Sequence, residues 1–151
     1  MPTTRRRPRN SVIVQYAVPR RGVPAAATLA RWARAALPVR ALTVRIVGTR
    51  EGRVLNRRFR RRDRATNVLS FAYGAAGDIV LCHPVVAREA REQGKSVRAH
   101  YAHLVVHGVL HLRGYLHDDK ASARRMETRE IRILRRLGFA DPYTVESSRP
   151  A

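Results

Sequence analysis

The chain has 151 residues, 44% of them apolar, which is the size of one ordinary domain with material for a core and argues against global disorder. There are 31 basic and 11 acidic residues, a net charge of +20, so a polyanionic partner is expected, with nucleic acid the natural one and binding that weakens as salt rises. No stretch approaches the ~20 apolar residues that cross a bilayer, and the single cysteine, Cys82, excludes an internal disulfide and a thiolate metal cage.

Residues 1–10 are basic and contain proline, with no apolar segment behind them. They are expected to be a disordered basic arm and not a secretory signal, and a cytoplasmic protein is expected. Ser11–Val18, rich in Val, Ile and Tyr, predicts a strand, and Pro19–Pro24 a loop. Ala25–Leu37 places Leu29, Trp32, Ala33 and Ala36 at helical spacing, so Trp32 belongs to a core face. Ala41–Val47 alternates around Leu42, Val44 and Ile46, a second strand. Thr49–Phe59 predicts a helix capped by Thr49, followed by a basic loop, Arg60–Arg64. Asn67–Tyr73 and Asp78–Cys82 predict a hairpin joined through Gly74–Gly77, with Cys82 a buried strand residue. Pro84 opens a helix that Gly94 stops. Val97–Arg113 predicts a long helix capped by Ser96 and closed by Gly114. Asp118 or Asp119 caps a last helix to Leu137, ended by Gly138. The expected fold is a small α+β domain over residues 11–143, of order β-α-β-α-β-β-α-α-α. One mixed sheet of about four strands is covered by helices, the first two strands parallel, and residues 144–151 form a disordered tail.

Five of the six histidines fall between His100 and His117. His103, His107 and His111 recur every four residues on a helix that is otherwise apolar nearly all round, and hence buried. Imidazoles there need partners. The i, i+4 pair His107 and His111 aims two imidazoles at one point, Gly114 lets the chain turn back, and His117 returns as a third ligand. Three ligands leave one coordination position for water, the signature of a catalytic zinc site, and a bound zinc polarises a phosphoryl or carbonyl oxygen. His103 is expected either to orient a ligand or to pack, His100 to lie on the surface or face substrate, and His83 to be structural. Metzincin proteases share the spacing H-x-x-x-H-x-x-G-x-x-H, but their catalytic Glu follows the first His; here that position is Gly108.

The segment from His103 through His107, Gly108, His111 and Gly114 to His117 resembles the signature of the YbeY family of bacterial endoribonucleases. Leu55-Asn56, Phe59-Arg60, Asp63 and Thr66-Asn67-Val68-Leu69-Ser70-Phe71 resemble a second block of that family. Gly77-Asp78-Ile79 resembles a third, and Met126-Glu127, Leu137-Gly138 and Asp141-Pro142-Tyr143 its tail, so that the likeness spans about residues 40–143. It implies a single-strand-specific metallo-endoribonuclease that acts in small-subunit ribosomal RNA maturation and ribosome quality control. Zinc, one per chain, would be held by His107, His111 and His117, with Arg60 in the substrate cleft. Departures are Phe59 for a usual tyrosine, Arg62-Asp63 for a Lys-Asp pair, Ala65 for proline, and Leu116 for an acidic residue before the last histidine. Asp118 could stand in for that lost carboxylate.

The expected chemistry is metal-assisted phosphodiester hydrolysis, with Arg60 gripping phosphate and Thr66, Asn67 and Ser70 in reach of substrate. The general base is left open, as is the choice between water and the RNA 2′-OH as nucleophile. Three rival classes remain: a metallopeptidase, a ribosome-assembly factor with a structural metal, and a DNA-binding module lacking any helix-turn-helix or zinc-finger signature.

Overall fold

The computed structural model describes residues 11–62 and 64–144. The expected basic arm at 1–10, Asp63 of the second block and residues 145–151 of the expected tail lie outside them. Nine elements follow one another in the expected order: β1 (Ser11–Tyr16), α1 (Ala26–Ala35), β2 (Ala41–Val47), α2 (Thr49–Arg60), β3 (Val68–Tyr73), β4 (Ala76–Cys82), α3 (His83–Glu92), α4 (Val97–Leu112) and α5 (Lys120–Arg136). The strands form one mixed sheet ordered β1-β2-β4-β3. β1 and β2 are parallel, Ser11 opposite Ala41, and β4 lies parallel to β2, with Leu42 opposite Gly77. β3 runs antiparallel to β4 and forms an edge.

Strand periodicity decides what each face buries. Leu42, Val44, Ile46, Ile79 and Leu81 point to the face covered by α1 and α4, with α5 packed on α4, and Leu29, Trp32, Tyr101, Val105, Val109, Leu110, Met126 and Leu134 complete the larger core. Val47, Val80, Cys82 and Leu69 point to the other face, packed by Leu55 and Phe71 and by Val85. Cys82 and Trp32 are both buried, as expected. Burial of each large aliphatic side chain contributes about 1.5–3 kcal/mol. α4 is buried along Tyr101, Ala102, Val105, Val106, Val109 and Leu110, so its register against the sheet is strongly specified.

Two glycines permit that close approach. A Cβ on Gly77 would meet the Leu112 side chain at 2.7 Å and the Phe71 carbonyl at 3.0 Å, and one on Gly108 would meet Ile79 Cγ2 at 3.0 Å and Val68 Cγ2 at 3.3 Å. α4 therefore lies so close to β3 and β4 that a side chain at either position would make its neighbours shift;.

Several boundaries differ from expectation. Thr49 does not cap α2: it is the first helical residue, Gly48 is the extended N-cap, and no side chain caps this end. The Gly48 carbonyl accepts the Gly52 amide at 3.0 Å. α2 ends one residue later, at Arg60, and Arg61 takes the left-handed conformation, φ 57°. The hairpin loop is Gly74–Ala75 only, because Gly74 at φ 63° supplies a tight turn and Tyr73 already pairs with Ala76;. β1 stops at Tyr16, and Thr144, expected in the tail, closes a turn on the Asp141 carbonyl. Ser96 caps α4 by accepting the Ala99 amide at 3.0 Å. Of the two candidate caps of α5, Asp119 serves, in a reciprocal capping box with Ser122;.

Candidate active site

α4 presents His103, His107 and His111 on successive turns, and the loop after it delivers His117. Gly114, at φ 93°, makes that return possible: its amide bonds to the His111 carbonyl and the Tyr115 amide to the Leu110 carbonyl;. The three expected ligands converge. Ring centroids lie 4.6 Å apart for His107 and His111, 4.7 Å for His111 and His117, and 5.6 Å for His107 and His117. One nitrogen from each falls within 4.8 Å of the other two. Ligands of a tetrahedral zinc at ~2.0–2.1 Å stand about 3.3 Å apart, so the trio closes on an ion with small side-chain movements. His111 is held below the ordinary imidazole value by burial and by its two neighbouring imidazoles, which favours the neutral form that a metal needs.

Glu130 is the functional residue that sequence reasoning missed. It is fully buried on α5. Its Oε2 accepts from His107 Nδ1 at 3.1 Å, and its Oε1 lies 2.7 Å from His103 Nε2 and 2.6 Å from the Tyr143 hydroxyl. With Nδ1 of His107 carrying the proton toward Glu130, the lone pair of His107 sits on Nε2, facing the trio. Burial alone would raise the Glu130 carboxyl; hydrogen bonds from His103 and His107, the His107 charge and the Tyr143 hydroxyl outweigh it and hold the carboxyl down to about 2. Burial and Glu130 push the Tyr143 phenol up. His103, His107 and Glu130 also offer clustered ligand atoms, but His103 and Glu130 meet at 2.7 Å, a hydrogen-bond length shorter than two donors around one metal permit. This second group is a hydrogen-bonded buttress. His103 thus reaches the trio through Glu130 and through an edge contact of its ring with His107, centroids 6.1 Å apart. The available signal was a glutamate on the core face of α5, in helical register with Met126, Ile133 and Leu134.

Facing the trio across a cleft of about 450 Å³ are Arg60 and strand β3, with Asn67, Val68, Ser70 and Ala72 in its wall. Arg60 leaves α2 on the opposite side of the sheet, wraps the β3 edge over the Phe71 ring at 5.3 Å, and donates from Nη2 to the Ser70 carbonyl at 2.8 Å. The Ser70 hydroxyl donates to the Gly108 carbonyl at 3.1 Å, tying β3 to α4 between His107 and His111. Asn67 is held through both polar atoms: Nδ2 donates to Glu89 Oε1 at 3.0 Å and Oδ1 accepts the Val68 amide. Thr66, expected near substrate, does not line this cleft. Asp118 is exposed and lies outside the histidine cluster, and Leu116 is exposed.

His100 is corrected. It is buried, not at the surface, and its Nε2 lies 2.9 Å from the Glu89 carboxylate that also holds Asn67. Position 100 falls on the α4 face covered by α3, a burial that a histidine stripe alone does not reveal. His83 pairs its Nδ1 with the buried Tyr101 hydroxyl at 2.6 Å, consistent with a structural place.

An open cleft with three convergent imidazoles on one wall and a guanidinium on the other defines a hydrolase equipped for anionic substrates. The profile of the endoribonuclease YbeY family matches residues 23–138. A relative from Methylibium petroleiphilum, named Endoribonuclease YbeY, is 59% identical over 75% of this chain and 79% of its own. One of the same name from Stenotrophomonas maltophilia is 49% identical over 91% and 96%. A solution structure of a Thermotoga maritima protein shares the fold, with TM-score 0.53 at 23% identity over 88% of this chain and 99% of that one. The chain belongs to the endoribonuclease YbeY family. The match begins earlier than the resemblance in the sequence motifs, taking in α1 and its buried Trp32.

Proposed function

We propose that this protein is a single-strand-specific, zinc-dependent endoribonuclease of small-subunit ribosomal RNA maturation and ribosome quality control, working in the cytoplasm. No helix among the described residues is long and apolar enough to cross a membrane. The observation that carries the reading is the trio His107, His111 and His117, one member oriented by buried Glu130, set opposite Arg60 across a cleft. Those three imidazoles would hold the zinc, which when bound supplies a Lewis acid and a water of lowered pKa.

The chain's own groups do the rest. Arg60, half free above the β3 edge, donates to phosphate oxygens and stabilises negative charge that grows on them. Glu130 keeps the proton of His107 on Nδ1. Ser70 supports the wall, its hydroxyl spent on the Gly108 carbonyl, and Asn67 does the same through Glu89. A peptidase reading loses further ground, because Gly108 faces β3 and β4 with no space for a glutamate.

The test is zinc content and single-stranded RNA cleavage on wild type and on His107→Ala, with circular dichroism to check the fold. One zinc and cleavage in the wild type, and neither in a folded mutant, is the expected result. Cleavage that persists without metal would assign the activity elsewhere. A mutant that unfolds on losing zinc would favour an assembly factor with a structural metal. Linear phosphate ends are expected on the products; 2′,3′-cyclic ends would overturn direct attack by water.

A further inference from the structure

The outer side of α5 carries positive charge for which the cleft has no use. Arg125, Arg129, Arg132 and Arg136 follow at steps of four, three and four residues, which makes one stripe along the helix;. The stripe runs about 16 Å at ~1.5 Å per residue. Among the described residues none of the four forms a salt bridge. Of the two glutamates of α5, Glu130 lies under His103 and His107, and Glu127, two residues and so about 200° around the helix from Arg125 and from Arg129, is off the stripe. The acid that Arg125 reaches is Asp119, whose carboxyl is lowered first by Ser122 and only weakly by this arginine. Arg129 is the telling member: its Nε is shielded from solvent and has no hydrogen-bond partner among the described residues.

The stripe lines a trough. A cleft of about 550 Å³ lies between Tyr115 and the first half of the stripe, and one of about 580 Å³ runs along the second half; Thr128 and Arg132 belong to both. A third of about 290 Å³ shares Tyr115 and Arg125 with the first and includes Gly114 and Leu116, in the loop that ends at His117. Like charges at these helical spacings repel one another, so α5 gains from an anionic partner. Planar guanidinium forks match phosphate oxygens. The trough is several phosphates long, and Tyr115, Thr128 and Ile131 give it less polar stretches suited to sugars and bases rather than to a string of carboxylates.

We propose that this α5 trough binds the phosphate backbone of RNA that flanks the bond being cut, a second contact surface continuous with the loop of His117. The proposal deepens the ribonuclease reading and rests on it. It predicts that length and structure of the RNA matter to affinity although the cleavage cleft is short.

The experiment uses the full chain with Arg125, Arg132 and Arg136, all exposed, changed together to Gln, beside a control triple of Arg31, Arg34 and Arg50, also exposed, which removes the same charge elsewhere. Circular dichroism checks both folds. Binding of a structured small-subunit rRNA fragment is followed against salt, and cleavage is followed on that fragment and on an oligouridylate only long enough to cross the cleft. The α5 triple is expected to bind the fragment about tenfold or more weakly at ~0.15 M salt, with the salt slope reduced by about 2–3, and to cut the short oligomer like wild type. The control triple is expected to change neither. Equal losses in both triples overturn the proposal, since net charge alone would explain them. So does unchanged RNA affinity in the α5 triple, and polyglutamate binding lost only in that triple would then point to an acidic protein partner. A wild type that binds the fragment but cuts neither RNA sinks the ribonuclease reading, while the salt slope still judges the trough.

Discussion

Glu130→Gln tests the internal logic of the site, because the substitution keeps the volume and removes only the charge. Glu130 makes three hydrogen bonds, to His107, His103 and Tyr143, in a fully buried position. A glutamine can turn its amide two ways, and both cost something. With the oxygen toward His107, the amide nitrogen faces His103 Nε2, which must then accept; the His103 proton moves to Nδ1, a buried atom with no partner among the described residues. With the nitrogen toward His107, Nδ1 must accept and the proton moves to Nε2, where it occupies the lone pair that points at the trio. Hydrogen bonds to charged groups contribute about 1.5–3 kcal/mol each and partial rearrangement recovers some of that, so the loss of stability is expected near 2–4 kcal/mol. Zinc affinity is expected to fall about 10–100-fold, the usual effect of disturbing a ligand's supporting carboxylate. Urea unfolding of the metal-free protein gives the first quantity, and competition with a chelating dye gives the second. Wild-type zinc affinity in a folded Glu130→Gln protein would refute the claim that this carboxylate orients His107, whatever happens to cleavage.

Other outcomes follow from the same geometry. Arg60→Ala should keep its zinc and lose about 10²–10³-fold in RNA cleavage, with Arg60→Lys recovering only part, because a point charge lacks the fork; unaltered kcat/KM would remove Arg60 from the chemistry. Gly108→Glu should fail to fold or melt far below wild type, since even a Cβ there meets Ile79 at 3.0 Å, and a stable, peptide-cleaving variant would contradict the packing. Stability should also fall on acidification. Burial holds His83 and His100 below the ordinary imidazole value, although Glu89 pulls His100 the other way. The unfolded chain takes up those protons near pH ~6.5 and the folded one resists, so stability is lost as pH drops through that value and the loss ends only below the folded values. Denaturant midpoints that stay level or rise from pH 7 to 5.5 would refute this.

Local pattern carried the elements and the convergence of the histidine trio, because each depends on spacing within one segment: period two in β2, i, i+4 for His107 and His111, a glycine between helix and His117. What it did not carry are features that depend on what another segment brings. Glu130 and His103 meet only once α5 lies on α4. His100 looked like one more exposed member of a stripe until Glu89 of α3 came to cover it. Thr49 has the chemistry of a cap, yet the chain enters α2 one residue earlier, through Gly48. Asn67 and Ser70 lie beside the cleft as expected, but their polar atoms face into the protein, committed to Glu89, Val68 and Gly108.

The edge position of β3 has a consequence for solubility. An edge strand shows a row of unpaired backbone groups, a template on which a second chain can extend the sheet. Strand alternation turns the Ser70 carbonyl outward, and Arg60 sits on it at 2.8 Å with its charge held over the Phe71 ring. A guanidinium there blocks one hydrogen-bonding position of the edge and repels an equally basic copy of the chain. The residue expected to grip RNA therefore also keeps the open side of the cleft from becoming a sticky seam between molecules. Removing it exposes the seam, and concentration-dependent association is expected to accompany any loss of activity.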